Sequence, residues 1–322
     1  MVVTGLRASK TLVVIGCGLM GCDIAAIFLR GGWSVRAVET NTANWERARD
    51  RVALSVSQLD PSASAGAFSL VASLEGLSWE GVELLIEAAP ENMDIKRELF
   101  AKLDKLAPEN IPLATNTSGL RITEIAEGLP TRHRMGGLHF FLPAHLVPAV
   151  EVVAGEFTDV ATMDRMFAIM ESVGCVPIRV AKDVPGFLAN RLQHALMREA
   201  YAILDEGLAT PEDVDAAVRY GFGFRYIAAG PILQKDLAGL DTNYAAGKSI
   251  YPHLNNAAKP GRSIEALVEA GKFGTKTGSG FWDWTPQQIK EQRAKYEQTL
   301  MEAARLLPSG ARPPGKARKI GG

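Results

Sequence analysis

Runs of apolar residues alternate along the first half of the chain with stretches of helical period. Residues 11–15 (Thr-Leu-Val-Val-Ile) are continuously apolar and short, the signature of a strand buried on both faces of a parallel sheet. They run into Gly16-Cys-Gly-Leu-Met-Gly21, and residues 22–30 then carry a helical pattern closed by Gly31 and Gly32. A second strand is predicted over 34–38, a helix over 44–58, a turn-rich stretch over 60–66 and a short strand near Leu70. Strand, helix, strand recurs at 84–89, 93–106 and 113–118. Residues 135–141 and 149–153 read as two further strands, and Pro143 and Pro148 forbid helix in the connection between them. Beyond Lys182 the pattern turns helical. Helices are predicted over 185–204 with Asp183 as N-cap, after the Thr210-Pro-Glu-Asp213 start, and over 233–249, 264–270 and 286–307. The fold class is therefore α/β: an N-terminal doubly wound sheet over 1–182, a mostly helical domain over 183–307, and a Pro/Gly-rich basic tail over 308–322 expected to be disordered.

Composition narrows the partners. The 322 residues carry 35 basic and 36 acidic side chains, with the basic ones scattered, so there is no electrostatic footprint for nucleic acid. No apolar run is long enough to cross a bilayer. Cys17, Cys22 and Cys175 are too few for a disulfide framework and lack metal-ligand spacing, which indicates a reducing cytoplasm and no metal site. A small-molecule partner remains.

The glycine turn gives that partner its chemistry. A G-x-G-x-x-G match is weak alone, but here it sits between a strand and a helix, and the next strand ends in Glu39. Gly16 permits the tight turn, Gly18 lets backbone approach a pyrophosphate at the helix N-terminus, and Gly21 lets helix and strand pack closely, with Leu19 and Met20 between them. Glu39 accepts the ribose hydroxyls and repels a 2′-phosphate, which favours NAD over NADP. Ligands of such sheets bind at the carboxyl ends of strands, so Ala89, Glu91, Asn116 and Ser118 fall beside the cofactor ring and substrate. In the hairpin, a turn-back sets Glu151 beside His139, and a carboxylate against an imidazole makes a competent general base. The other reading of this pair is a satisfied core histidine and an edge-strand charge.

These motifs together resemble the 3-hydroxyacyl-CoA dehydrogenase family. The likeness rests on Gly16-x-Gly-x-x-Gly21, Glu87-Ala-Ala-Pro-Glu91 with Lys96, Asn116-Thr-Ser118, His139-Phe-Phe with Glu151, Lys182-Asp-Val-Pro-Gly-Phe-Leu-Ala-Asn-Arg191, and the closing Lys272-Phe-Gly-Thr-Lys-Thr-Gly-Ser-Gly-Phe281. It implies an NAD-dependent oxidation of a 3-hydroxyl, with His139 as base and Glu151 as its orienting carboxylate. It further implies Ser118 and Asn190 on the substrate oxygens, Glu91, Lys96 and Asn116 around the nicotinamide half, and a homodimer formed through the C-terminal helices.

Three features depart from an acyl-CoA enzyme. Leu142 stands where the family usually has Asn after His-Phe-Phe. Residues 40–86 contain no lysine, and Arg47, Arg49 and Arg51 oppose six acidic residues there, a poor surface for the CoA polyanion. The run Tyr220 to Pro231 is more like the branch of the superfamily acting on small free hydroxy acids, and Arg225 within it suits a bidentate grip on a free carboxylate or, equally, a structural ion pair. The reading leans to a small free hydroxy acid. A 3-hydroxyacyl-CoA thioester is the alternative, and an NAD-binding or structural protein without turnover the remote one.

Overall fold

The structure, a computed structural model, describes residues 10–307, so the C-terminal tail lies outside the described residues. The chain divides between Arg191 and Leu192 into two compact units.

The first unit is built on one eight-stranded sheet: β1 (Thr11–Ile15), β2 (Ser34–Val38), β3 (Phe68–Val71), β4 (Val82–Glu87), β5 (Leu113–Thr115), β6 (Met135–Phe140), β7 (Ala149–Val153) and β8 (Val176–Val180). Their spatial order is β3-β2-β1-β4-β5-β6-β7-β8, and every neighbouring pair is parallel except β6 with β7. The order reverses at β1, flanked by β2 and β4, which creates a crevice at its carboxyl end. All five residues of β1 are buried because both faces are covered. Leu12 and Val14 join a core with Ile24, Phe28, Met166 and Met170, whereas Val13 and Ile15 join one with Phe100, Leu103 and Ile125.

Three covering helices follow their sequence patterns, α1 (Leu19–Arg30), α2 (Trp45–Leu59) and α3 (Met93–Leu106), and two more, the short α4 (Ile122–Ile125) and α5 (Val160–Ser172), stand with strand β8 outside the elements the sequence predicts. The next helix, α6 (Ala189–Asp205), begins four residues later than the periodicity predicts. Gly186 and Phe187 adopt φ of 76° and 45°, outside the right-handed helical region, so no helix can pass through them. Asp183 is not its N-cap: that carboxylate accepts instead from the Thr123 amide at 2.6 Å.

The second unit is helical: α7 (Pro211–Ala216), α8 (Pro231–Ala238), α9 (Leu240–Ile250), α10 (Arg262–Glu269) and α11 (Pro286–Leu306). Thr210 caps α7 through the Asp213 amide, and Thr285 with Gln288 forms a capping box on α11. The single helix expected over 233–249 is two, broken at Gly239, whose φ of 99° suits a residue without Cβ. Among the described residues of this unit only Ala200, Ala202 and Gly247 are buried. Ile232, Leu237 and Tyr244 are 81, 75 and 70% exposed.

Candidate active site

The glycine turn at the end of β1 has the shape a dinucleotide needs. Gly16 has φ 91°, and a Cβ there would lie 2.8 Å from Ala88 O. A Cβ on Gly21 would lie 1.9 Å from Gly16 O, so this glycine permits the close packing of α1 on the turn. Gly18 differs. Its backbone is extended and a Cβ would meet nothing within 4 Å, so open space lies in front of the turn where α1 begins. Leu19 is largely exposed and Met20 half-buried beside it. At the end of β2, Glu39 accepts from the Asn41 amide at 3.0 Å and from the Cys17 amide at 3.3 Å, which holds its carboxylate next to the turn. A turn without side-chain obstruction, a helix N-terminus and an acidic strand end together fit an adenine dinucleotide.

One strand over, β4 ends in a buried ionic cluster. Glu87 is fully buried and accepts from Lys96 Nζ at 2.7 and 2.9 Å, from Thr115 Oγ1 at 2.6 Å and from the Ala89 amide at 2.7 Å. Lys96 is itself 1% exposed, and its second acidic neighbour is Glu91 Oε2 at 3.5 Å. Glu91 Oε1 takes hydrogen bonds from Thr117 Oγ1 and from the Ser118 and Gly119 amides, as well as from Ser118 Oγ at 3.3 Å. Burial alone raises the Glu91 carboxyl, but these donors and the Lys96 charge bring it below its ordinary value. Residues 87–118 thus form one network that sequence reading left in separate pieces. Thr115 carries it without having been singled out, and Glu87 and Thr117 entered the sequence reading only as motif members with no role; the available signal was an acidic residue closing an apolar strand, followed nine residues later by the lysine.

The hairpin of β6 and β7 brings His139 and Glu151 together. The two are directly opposed in the antiparallel register, and His139 Nδ1 lies 2.7 Å from Glu151 Oε2 with both side chains buried. The other carboxylate oxygen accepts from the Leu188 and Ala189 amides at 3.0 and 2.7 Å. Glu151 therefore replaces the missing side-chain cap of α6, and the left-handed Gly186-Phe187 turn is what aims those amides at it. Burial raises the Glu151 carboxyl, yet the His139 bond and the two amides outweigh it and the group lies below its usual range. An ionised Glu151 holds the proton on Nδ1. Nε2 has no hydrogen-bond partner among the described residues. Phe141 and Phe187 flank the ring edge-on, with centroids 4.7 and 5.6 Å away.

Other expected residues gather around the hairpin. Asn116 Oδ1 accepts from the Phe140 amide at 3.0 Å, so it fixes the strand next to His139. Asn190 is the second residue of α6, and its Nδ2 is 3.4 Å from Ser118 O. Leu142 is 60% exposed in the connection. Arg225 belongs to the second unit, exposed in a short 3-10 turn (Gly223–Ile227), with no acidic partner among the described residues. No grouping of His, Cys, Asp or Glu among the described residues could hold a metal ion.

Comparison with known proteins places these features in one lineage. Residues 11–184 match the NAD-binding domain of 3-hydroxyacyl-CoA dehydrogenase and residues 186–284 its C-terminal domain. The chain belongs to the 3-hydroxyacyl-CoA dehydrogenase family. Like its relatives in that family it is an NAD-dependent dehydrogenase acting on hydroxyl groups. The 5-formyl-3-hydroxy-2-methylpyridine 4-carboxylate 5-dehydrogenase of Mesorhizobium japonicum is 34% identical over 304 residues, 92% of this chain and 98% of that one. A solved structure of an enzyme of that name, described as an NAD+ dependent dismutase, has a TM-score of 0.87 at 34% identity and covers 93% of this chain and 98% of its own. The (S)-3-hydroxybutyryl-CoA dehydrogenase of Ralstonia eutropha has a TM-score of 0.70 at 30% identity, covering 86% of this chain and all of its own. None of the family member's described helices is long and apolar enough to cross a membrane.

Proposed function

We propose that the protein oxidises the hydroxyl of a small free carboxylate, at the carbon one beyond the carbon next to the carboxylate, with His139 as general base. The observation that carries this is the buried His139 Nδ1 to Glu151 Oε2 contact of 2.7 Å with Nε2 left free. Bound at the glycine turn, NAD supplies the hydride acceptor. His139 Nε2 takes the hydroxyl proton. Glu151 keeps the ring in the tautomer that exposes this lone pair and stabilises the imidazolium once it forms. Ser118 and Asn190 position the substrate oxygens, a role supported by the 3.4 Å bond that ties their segments together. Glu91, Lys96 and Asn116 border the nicotinamide half, and Ala89 the strand end before it. The first unit takes the cofactor, and the helical unit supplies substrate and dimer contacts. The exposed apolar side chains of α8 and α9 support a homodimer through that unit, and the free cysteines suit a reducing cytoplasm.

The free-acid reading draws on the lysine-free 40–86 segment, on Leu142 and on the higher TM-score to an enzyme named for a pyridine carboxylate. Arg225, exposed and without an acidic partner among the described residues, is the anchor for that carboxylate. The second reading, a 3-hydroxyacyl-CoA thioester, has the Ralstonia relative in its favour. Steady-state NADH production at mildly alkaline pH separates them, with 3-hydroxybutyrate as the free acid, 3-hydroxybutyryl-CoA as the matched thioester, and Arg225→Ala beside the wild type. A free acid is expected to turn over best, and Arg225→Ala to raise its KM about 10- to 100-fold, the loss of one charge-assisted hydrogen-bond pair. Preference for the thioester with Arg225→Ala inert would establish the CoA reading instead.

A further inference from the structure

A second buried histidine–carboxylate pair lies outside every motif that carries the family resemblance. His145 sits midway in the connection between β6 and β7, the eight-residue 141–148 segment, with a fully buried side chain. Its Nε2 is 2.7 Å from Gln58 Oε1 at the end of α2. Its Nδ1 is 3.0 Å from Asp23 Oδ2 in α1, outside the geometry of a directed hydrogen bond. Asp23 is completely buried and is gripped from α2 as well: Arg51 Nε and Nη2 donate at 2.9 and 3.0 Å, and Ser55 Oγ at 3.0 Å. Desolvation alone raises the Asp23 carboxyl, and the His145, Arg51 and Ser55 contacts overcome it and bring the group below its ordinary value.

We propose that His145 is a positioning residue for the reaction. It locks the hairpin that carries the catalytic pair to the helix that begins at the cofactor turn. The inference rests on the reading of His139 and Glu151 as base and orienting carboxylate. In an antiparallel pair the register decides which side chains are opposed, and a slip of one residue would turn Glu151 to the opposite face from His139. A hairpin's register is set at its connection, and here the middle of the connection is pinned. Ala144 and Leu146, on either side of His145, are also buried. Apolar contact alone is not directional, whereas the Nε2 hydrogen bond to Gln58, with Nδ1 set close against the buried Asp23 carboxylate, fixes the ring's position. Asp23 lies two residues beyond Gly21, so the same contacts register the base against the turn that receives the pyrophosphate.

The test uses the full chain with NAD and the two probes named above, and compares wild type with His145→Ala, His145→Gln and Gln58→Leu. His145→Ala is expected to lower kcat about 10- to 100-fold, the effect of a displaced reacting group, while KM for NAD changes less than about twofold. The far-downfield proton resonance of His139 Nδ1–H, identified by its absence from Glu151→Gln, is expected to broaden or vanish. His145→Gln, whose amide stands in for the Nε2 side of the ring and keeps a hydrogen-bonding group toward Gln58, should recover most of both signals. A folded His145→Ala with wild-type kcat and an intact resonance overturns the proposal. Should His145→Ala not fold, Gln58→Leu decides, since it removes only the Nε2 partner, and unchanged kcat and resonance there overturn it equally. If the wild type reduces NAD with none of the probes, it is the substrate reading that fails, and the resonance in the variants still decides the role of His145.

Discussion

Three glycines that look alike in the motif do different work. Gly16 and Gly21 are required by the protein itself, through a positive φ and a 1.9 Å clash respectively, whereas nothing in the fold forbids a methyl group at Gly18. Gly21→Ala is therefore expected to destabilise the fold by about 1–3 kcal/mol through overpacking. Gly18→Ala should melt with the wild type and lose NAD affinity, and calorimetry of both variants with and without NAD checks the contrast. At the proposed base, Glu151→Gln keeps an oxygen for the Leu188 and Ala189 amides but presents an NH2 to His139 Nδ1. That forces the proton onto Nε2, and kcat should fall by about 10³- to 10⁴-fold with the fold intact. Because the Glu151 carboxyl is depressed below its ordinary 4.5, its stabilisation is fully present above that pH and is lost as pH falls through the lowered native value. Urea midpoints measured from pH 6 downward should converge for wild type and Glu151→Gln; parallel curves would contradict the assignment.

Between elements, the ionic cluster joining β4, α3 and β5 is the largest departure from a purely apolar core. Lys96 neutralises a carboxylate that has no access to water. Lys96→Met is expected to cost about 3–5 kcal/mol by leaving Glu87 charged and unpaired, while Glu87→Gln with Lys96→Met should regain much of that loss. Chemical denaturation of the single and double variants measures the difference. The same cluster positions Glu91 and Ser118 at the carboxyl ends of the strands, so its failure would reach the site as well as the core. The opening of α6 makes a related point. Residues 185–204 have helical periodicity, but Gly186 and Phe187 take left-handed dihedrals, and the helix starts where Glu151 can receive its first amides. Local propensity yielded there to a buried carboxylate needing donors, with a backbone cost of about 1–3 kcal/mol at Phe187.

At the scale of the whole molecule, the first unit contains its own core and the second hardly has one. A helical unit whose buried residues, among those described, are Ala200, Ala202 and Gly247, and with Ile232, Leu237 and Tyr244 outward, needs apolar cover to be stable. Sedimentation at micromolar concentration is expected to report twice the chain mass, and Ile232→Asp to shift it toward the single chain with a lower melting temperature; a monomeric wild type would remove the dimer. Much of this protein was legible without coordinates, because seven of its eight strands, its glycine turn and most helix starts are written in short-range patterns that steric and hydrophobic rules read directly. The His139 and Glu151 pair was legible too, since two strands joined by a proline-bounded connection leave few registers. What only the tertiary structure decided were the partnerships of buried polar groups: Lys96 with Glu87, Glu151 with the start of α6, His145 with Asp23 and Gln58. Each depends on which elements become neighbours in the sheet and across its faces, and a buried charge takes whatever donor that packing brings within reach, which no local periodicity encodes.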